Sequence, residues 1–145
     1  MAFGWAVCHI LLYPTIVESF ELVSVPPLIA IVDDDRSMRE ALEDLVGSLG
    51  YRALMFGSAE DYLACPDRAG VRCMILDVQM PGMNGLDLQT HLVEEDRAPP
   101  IIFVTSYGDE TVRRRAMRGG AVCVLEKPVQ ENAIIGCLEE VLGGS

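Results

Sequence analysis

At 145 residues and half hydrophobic, the chain can pack one domain with an N-terminal appendage, and a charged share of 23% excludes wholesale disorder. Twenty-two acidic against eleven basic residues leave a net charge of −11, a field that disfavours nonspecific binding to nucleic acid or an anionic membrane and suits a site that gathers divalent cations. The five cysteines, Cys8, Cys65, Cys73, Cys123 and Cys137, form no CxxC pair, so neither a disulfide framework nor a zinc site is expected and the thiols read as those of a reduced, cytoplasmic protein.

Residues 1–27 read as an extension of unknown role that packs on the domain or lies loose. Ala2 to Val17 is almost entirely apolar but contains Pro14, and it falls short of the roughly 20 residues that a spanning helix needs. No Lys or Arg precedes Arg36, so the basic flank of a secretory signal is missing.

From Leu28, residues 28–145 alternate strand and helix. Leu28 to Val32 is a buried-strand run ending in Asp33-Asp34-Asp35. Met38, Ala41, Leu42, Leu45, Val46 and Leu49 recur at helical spacing; Ser37 and Glu40 suit a capping box, and Gly50 a stop. Tyr51 to Phe56 reads as a second strand, and Ser58 to Asp61 starts a short helix. The third strand, with its apolar run Cys73 to Leu76, ends at Asp77 before the loop Met80-Pro81-Gly82, and a helix covers Leu86 to Val93. Pro100 to Val104 is a fourth strand ending in Thr105-Ser106, followed by a helix over Glu110 to Arg118. Ala121 to Leu125 is a fifth, ending in Glu126-Lys127-Pro128, and the last helix buries Ile134, Leu138, Val141 and Leu142. Strict alternation with short loops predicts an α/β fold, a parallel sheet covered on both faces.

Four strand ends then carry Asp33 and Asp34, Asp77, Thr105 and Ser106, and Lys127. The strands being parallel, with right-handed crossovers, all four emerge on one edge of the sheet, where open α/β sheets bind ligands. Like charges about 4 Å apart repel by roughly 4 kcal/mol at an effective dielectric of about 20, so the carboxylates call for a cation. An oxygen-only donor set favours Mg²⁺, or Mn²⁺ as the alternative. A hydroxyl and an ammonium opposite are what the remaining oxygens of a phosphoryl group require. The constellation fits an aspartate that accepts a phosphoryl group.

Ile-Val-Asp33-Asp34-Asp35, Leu-Asp77-Val-Gln-Met-Pro-Gly-Met-Asn-Gly, Val-Thr105-Ser and Glu-Lys127-Pro128 resemble the response-regulator receiver domain of two-component signalling, in the subtype of FixJ-like transcriptional regulators. The resemblance spans residues 28–143. It implies a doubly wound, flavodoxin-like five-stranded sheet of order 2-1-3-4-5. It makes Asp77 the phosphoacceptor, fed by a sensor histidine kinase, a phosphotransfer protein or a small phosphodonor. It implies Mg²⁺ ligation by Asp34 directly, by Asp33 through water, by Asp77 and by the backbone carbonyl of Gln79. Lys127 would pair with Asp77 and then with the phosphoryl oxygens, Lys127-Pro128 would be cis, and Thr105 would swing its hydroxyl onto the phosphoryl group. No enzyme activity is implied beyond self-phosphorylation and self-dephosphorylation. An output domain or partner would be met through the fourth helix, fifth strand and fifth helix, with a homodimer as one form; no membrane or direct nucleic-acid contact is expected of this chain.

Individual residues are read against plainer roles. Asp35 is a first-turn carboxylate favoured by the helix dipole, Ser106 a small residue leaving room for the phosphodonor, and His9 and His91 lack ligand-spaced partners. Arg113-Arg114-Arg115 and Arg118 read by default as a solvated helix face; the resemblance implies that this helix belongs to the signalling surface, with partner contact as the alternative role. Receivers usually carry an aromatic three residues before the lysine. Here Val124 stands there, which points to a weakened switch or one with its aromatic supplied from elsewhere. Tyr107 and Gln79 are placed to govern water access. Two other readings stay open: a haloacid-dehalogenase-like phosphatase, which lacks its acidic pair after Lys127, and a degenerate receiver that binds partners without phosphorylation. The chain is expected to be either a stand-alone receiver or a piece cut before its output domain.

Overall fold

Five short apolar runs become the strands: β1 (Leu28–Val32), β2 (Arg52–Phe56), β3 (Val71–Asp77), β4 (Ile101–Thr105) and β5 (Cys123–Glu126). They form one parallel sheet of order β2-β1-β3-β4-β5. The structure, a computed structural model, describes residues 25–143, so the expectations for the apolar stretch ahead of Val25 lie outside the described residues.

Burial agrees with this order. All five residues of β1 and of β4, and all but Arg72 of β3, are buried, as central strands covered on both faces must be. β2 and β5 stay half-covered at the edges. Helices α1 (Arg36–Ser48) and α5 (Glu131–Leu142) pack on one face through Leu42, Val46, Ile134, Leu138 and Leu142. Helices α2 (Ala59–Leu63), α3 (Gly85–Glu94) and α4 (Glu110–Arg118) cover the other through Tyr62, Leu88, Leu92 and Ala116. The register places Val32 beside Leu76, Asp77 beside Val104, and Thr105 beside Glu126. The carboxyl ends of β1, β3, β4 and β5 therefore finish on one edge.

Three sequence expectations need correction. The Ser37/Glu40 capping box does not form: Asp35 is the N-cap, its carboxylate accepting from the Ser37 and Met38 N–H groups, while Glu40 pairs with Arg36 at 3.1 Å. The carboxylate one residue before the helix reaches two orphan donors at once, which Ser37, already inside the helix, cannot. β5 begins at Cys123 rather than Ala121, because the Ala121 N–H is committed to the Ala116 carbonyl in the turn that closes α4. In that turn Gly120 takes φ +97°, a conformation open to glycine. Finally, Cys123 and Cys137 are joined in a disulfide. They lie 14 residues apart, and only the return of α5 onto β5 makes them neighbours.

Candidate functional site

The site is built from strand ends, where the backbone is held by the sheet and the side chain is not. Asp33 follows β1, with its N–H bonded to the Phe56 carbonyl at 3.1 Å. Its own carbonyl is held by the Arg39 guanidinium, 2.6 Å away. Its side chain is 1% exposed: Oδ1 accepts from the Asp35 N–H at 2.8 Å. Oδ2 lies 3.0 Å from Lys127 Nζ yet has no hydrogen-bond partner of good geometry. Asp34 is exposed beside it. Asp77 ends β3, 2% exposed, with Oδ1 accepting from the Gln79 N–H at 3.3 Å and lying 3.5 Å from Lys127 Nζ.

Asp33, Asp34 and Asp77 each bring one oxygen to within 4.8 Å of the other two. One lysine faces the two buried carboxylates. Burial, then the Asp33 charge, pushes the Asp77 carboxyl up to about 7, with Lys127 pulling the other way. Desolvation draws the Lys127 ammonium down, but Asp33 and Asp77 outweigh it and its pKa ends above the usual value. The cluster therefore carries more negative charge than its surroundings balance, and Asp33 Oδ2 keeps unused acceptor capacity. Hard oxygen donors with a charge deficit fit a hard divalent cation.

Thr105, fully buried at the end of β4, accepts the Tyr107 N–H at Oγ1, 3.0 Å away. The Lys127 N–H donates to the Thr105 carbonyl at 2.8 Å, which ties the ends of β4 and β5 together, and the Lys127-Pro128 bond is cis. Ser106 is exposed and Tyr107 is 66% exposed at the rim. The edge of the sheet thus gathers three carboxylates, an ammonium and a hydroxyl, able together to hold a cation and a bound anion.

Other predicted residues serve elsewhere. Val124 is buried in β5 opposite Phe103, and its carbonyl accepts from Arg113 Nη1 at 3.1 Å. Through that bond α4 is tied to β5 by an arginine on a backbone carbonyl. Arg115 pairs with Asp87 of α3 at 3.1 Å, so two of the four arginines are tied to the protein instead of belonging to a purely solvated face. His91 pairs with Glu95 within its own helical stretch, at 3.3 Å.

Sequence reasoning missed Arg39 and Glu60. Glu60 accepts the Met83 N–H at 3.0 Å, a bond that pins the loop after Asp77 and holds the Glu60 carboxyl below its ordinary value. It also missed Gly85, where an added Cβ would collide with the Asp77 backbone carbonyl. A Gly opening a helix is the only trace that close approach leaves in a sequence. Gly85→Ala is expected to destabilise the fold by about 2 kcal/mol or more, read as a lower urea midpoint, because the neighbour in the way is backbone and cannot rotate aside.

A model of the response regulator receiver domain matches residues 29–139. The chain belongs to this family. Nodulation protein W of Bradyrhizobium diazoefficiens is 40% identical over 112 residues, covering 77% of this chain and 49% of that protein. The transcriptional regulatory protein FixJ of the same organism is 32% identical over 114 residues, covering 79% and 56%. Among solved structures, the response regulator StyR superposes with a TM-score of 0.75 at 37% identity, over 82% of this chain and 60% of that one. The chain spans about half the length of the curated relatives it matches. FixJ-like kinship is consistent with these matches, and the doubly wound sheet of order 2-1-3-4-5 is the receiver fold. The family match leaves the dehalogenase-like phosphatase reading without support. Receiver domains work with histidine kinases or phosphotransfer proteins, and no helix among the described residues is long and apolar enough to cross a membrane.

Proposed function

We propose that this receiver accepts a phosphoryl group on Asp77 from a histidine kinase or phosphotransfer protein and passes the signal through the surface of α4, β5 and α5. One observation carries the reading: a buried carboxylate within 4.8 Å of two others and 3.5 Å from an ammonium, with a buried threonine hydroxyl at the next strand end. An Asp77 oxygen attacks the phosphorus of the donor phosphohistidine, the P–N bond breaks, and the freed imidazole nitrogen recovers its neutral form. Water later attacks the phosphorus of the acyl phosphate, the bond from phosphorus to the Asp77 oxygen breaks, and inorganic phosphate leaves, which restores the carboxylate. Lys127 neutralises phosphoryl oxygen charge and keeps the acceptor oriented. Asp33, Asp34, Asp77 and the Gln79 carbonyl would hold Mg²⁺ or Mn²⁺, whose charge offsets that of the phosphoryl oxygens.

Thr105 Oγ1, now an acceptor of the Tyr107 N–H, turns to donate to the phosphoryl group and draws the loop before α4 with it. Arg113 on Val124 transmits that movement to β5 in place of an aromatic side chain. Reversing a 99:1 equilibrium takes about 5.5 kcal/mol, within reach of a few charge-assisted hydrogen bonds.

Residues 28–145 act as the receiver in this reading and 1–27 as an extension, in a cytoplasmic protein without enzyme activity on other substrates. The partners are a kinase, an output domain or protein, and a second copy as one mode of assembly. A net charge of −11 makes direct nucleic-acid binding by this chain unfavourable.

Intact-mass measurement after incubation with acetyl phosphate and Mg²⁺ tests the reading. The native chain should gain one phosphoryl mass and Asp77→Asn none. A native chain that stays unmodified would favour a phosphorylation-independent binding module. Tyr107→Ala is expected to change the half-life of the acyl phosphate, since the ring stands at the rim where water enters; an unchanged half-life removes Tyr107 from that role.

A further inference from the structure

We propose that Cys123 and Cys137 form a reversible thiol–disulfide site, and that its oxidised form fixes the segment on which Lys127 rides. The bond joins β5 to the middle of α5 and closes a ring of chain, 14 residues in separation, that contains Lys127 and the cis Lys127-Pro128 bond. Lys127 Nζ stands 3.0 Å from Asp33 and 3.5 Å from Asp77, so the covalent tether and the phosphoryl site share one short segment.

The helix does not need the tether to stay docked. Ile134, Leu138 and Leu142 bury α5 against the sheet without it. Both cysteines are half-buried at the border of that apolar cluster, where a free thiol sits as readily as a disulfide sulfur. Cycling between the two states therefore leaves the core intact and is open to small reagents from solvent. The other described cysteines lack this placement. Cys73 is fully buried inside β3, with burial pushing its thiol up to about 12, and Cys65 lies just beyond α2, which packs on the opposite face of the sheet.

The exchange balances with a low-molecular-weight disulfide such as glutathione disulfide as oxidant. A thiolate from one cysteine attacks it, forms a mixed disulfide and expels one glutathione thiolate. The second cysteine, as thiolate, attacks the protein sulfur of that mixed bond and expels the other. Two protein thiols lose two electrons and two protons, and two molecules of glutathione gain them. Excess glutathione reverses both steps.

The test uses the full chain equilibrated in glutathione buffers from strongly reducing to strongly oxidising. Free thiols are then blocked, and the chain is mapped by non-reducing peptide mass spectrometry and by amide hydrogen exchange. The expected result is a peptide pair linked through Cys123 and Cys137 that appears and disappears with the buffer. Amides of residues 127–137 should exchange roughly tenfold more slowly in the linked form. Cys123→Ala and Cys137→Ala should each abolish both the linkage and the difference in exchange. Thiols that remain free in the most oxidising buffer would overturn the proposal, as would a linked form whose exchange matches the reduced one. Neither readout uses phosphorylation, so failure here is separable from failure of the phosphoacceptor reading.

Discussion

Asp77→Asn is expected to make the metal-free protein more stable at neutral pH while abolishing its phosphorylation. Asp77 is buried beside Asp33, and both face a single ammonium. Folding therefore confines like charges that the unfolded chain keeps in water. Removing one of them should raise stability by on the order of 2 kcal/mol, allowing for screening at the open side of the site. For a domain of this size that corresponds to a melting temperature higher by about 8 °C. The sign of the pH dependence follows from the upward shift of the carboxyl, from 3.8 to about 7. Above about pH 7 Asp77 is ionised in both states and the folded state bears the whole repulsion; below about pH 4 it is protonated in both and bears none. The native protein should therefore lose stability as pH rises from about 4 to 7, and the advantage of the Asn variant should grow over that same window. Added Mg²⁺ should narrow the gap, because binding to the native carboxylates stabilises the folded state by RT ln(1 + [L]/Kd), about 2.7 kcal/mol at a hundred times Kd. Thermal melts at pH 4, 6 and 8, with and without Mg²⁺, read all of this. An Asn variant no more stable than the native protein at pH 8 would show that Lys127 already balances the pair.

Lys127→Ala should act in the opposite direction. The ammonium lies 3.0 Å from Asp33 and 3.5 Å from Asp77, and truncating it leaves two buried carboxylates facing each other. Breaking a buried pair from one side costs about 3 kcal/mol or more. Because the Lys127 pKa is raised above 10.5 in the fold, its stabilising charge is fully present at pH 7–9 and is lost only as pH rises through the folded-state value. Acidification should instead relieve the variant, since protonating Asp77 removes the charge that the lysine opposes. The loss should shrink in the Asp77→Asn background, a coupling that a double-mutant cycle measures directly. Phosphorylation by acetyl phosphate should slow by roughly a hundredfold, the usual order for one charge-stabilising donor. Equal costs for Lys127→Ala in the native and Asn backgrounds would mean that the lysine acts through packing alone.

The two predictions depend on the same few residues, and those were legible because the fold repeats a simple rule. Leu28 to Val32, the run ending at Asp77, and Ile101 to Val104 are apolar without alternation, which marks strands buried on both faces. Once the strands are parallel, their common direction alone places the carboxyl ends together. Asp33, Asp34, Asp77, Thr105 and Lys127 could thus be grouped from order in the chain, with no knowledge of any distance.

Other features carried no such mark. Arg39 on the Asp33 carbonyl, Glu60 on the Met83 N–H and Arg113 on the Val124 carbonyl are long side chains on helices, and each binds a backbone group. A backbone acceptor or donor is chemically the same at every position, so nothing in the sequence distinguishes the one that will be met. Asp35 displaced the anticipated Ser37 cap because cap choice depends on where the chain turns into the helix, a matter of a single residue.

The amino-acid sequence by itself determined a parallel sheet covered on both faces and which reactive groups share an edge, because hydrophobic period and strand–helix alternation suffice for those. The strand order came from the resemblance to the receiver family. Only the tertiary structure decided the pairing of Cys123 with Cys137, the collision surface around Gly85 and the imbalance of charge that lifts the Asp77 carboxyl. These depend on how closely distant segments approach. Approach at the scale of an ångström is set by packing of the whole core rather than by any local pattern.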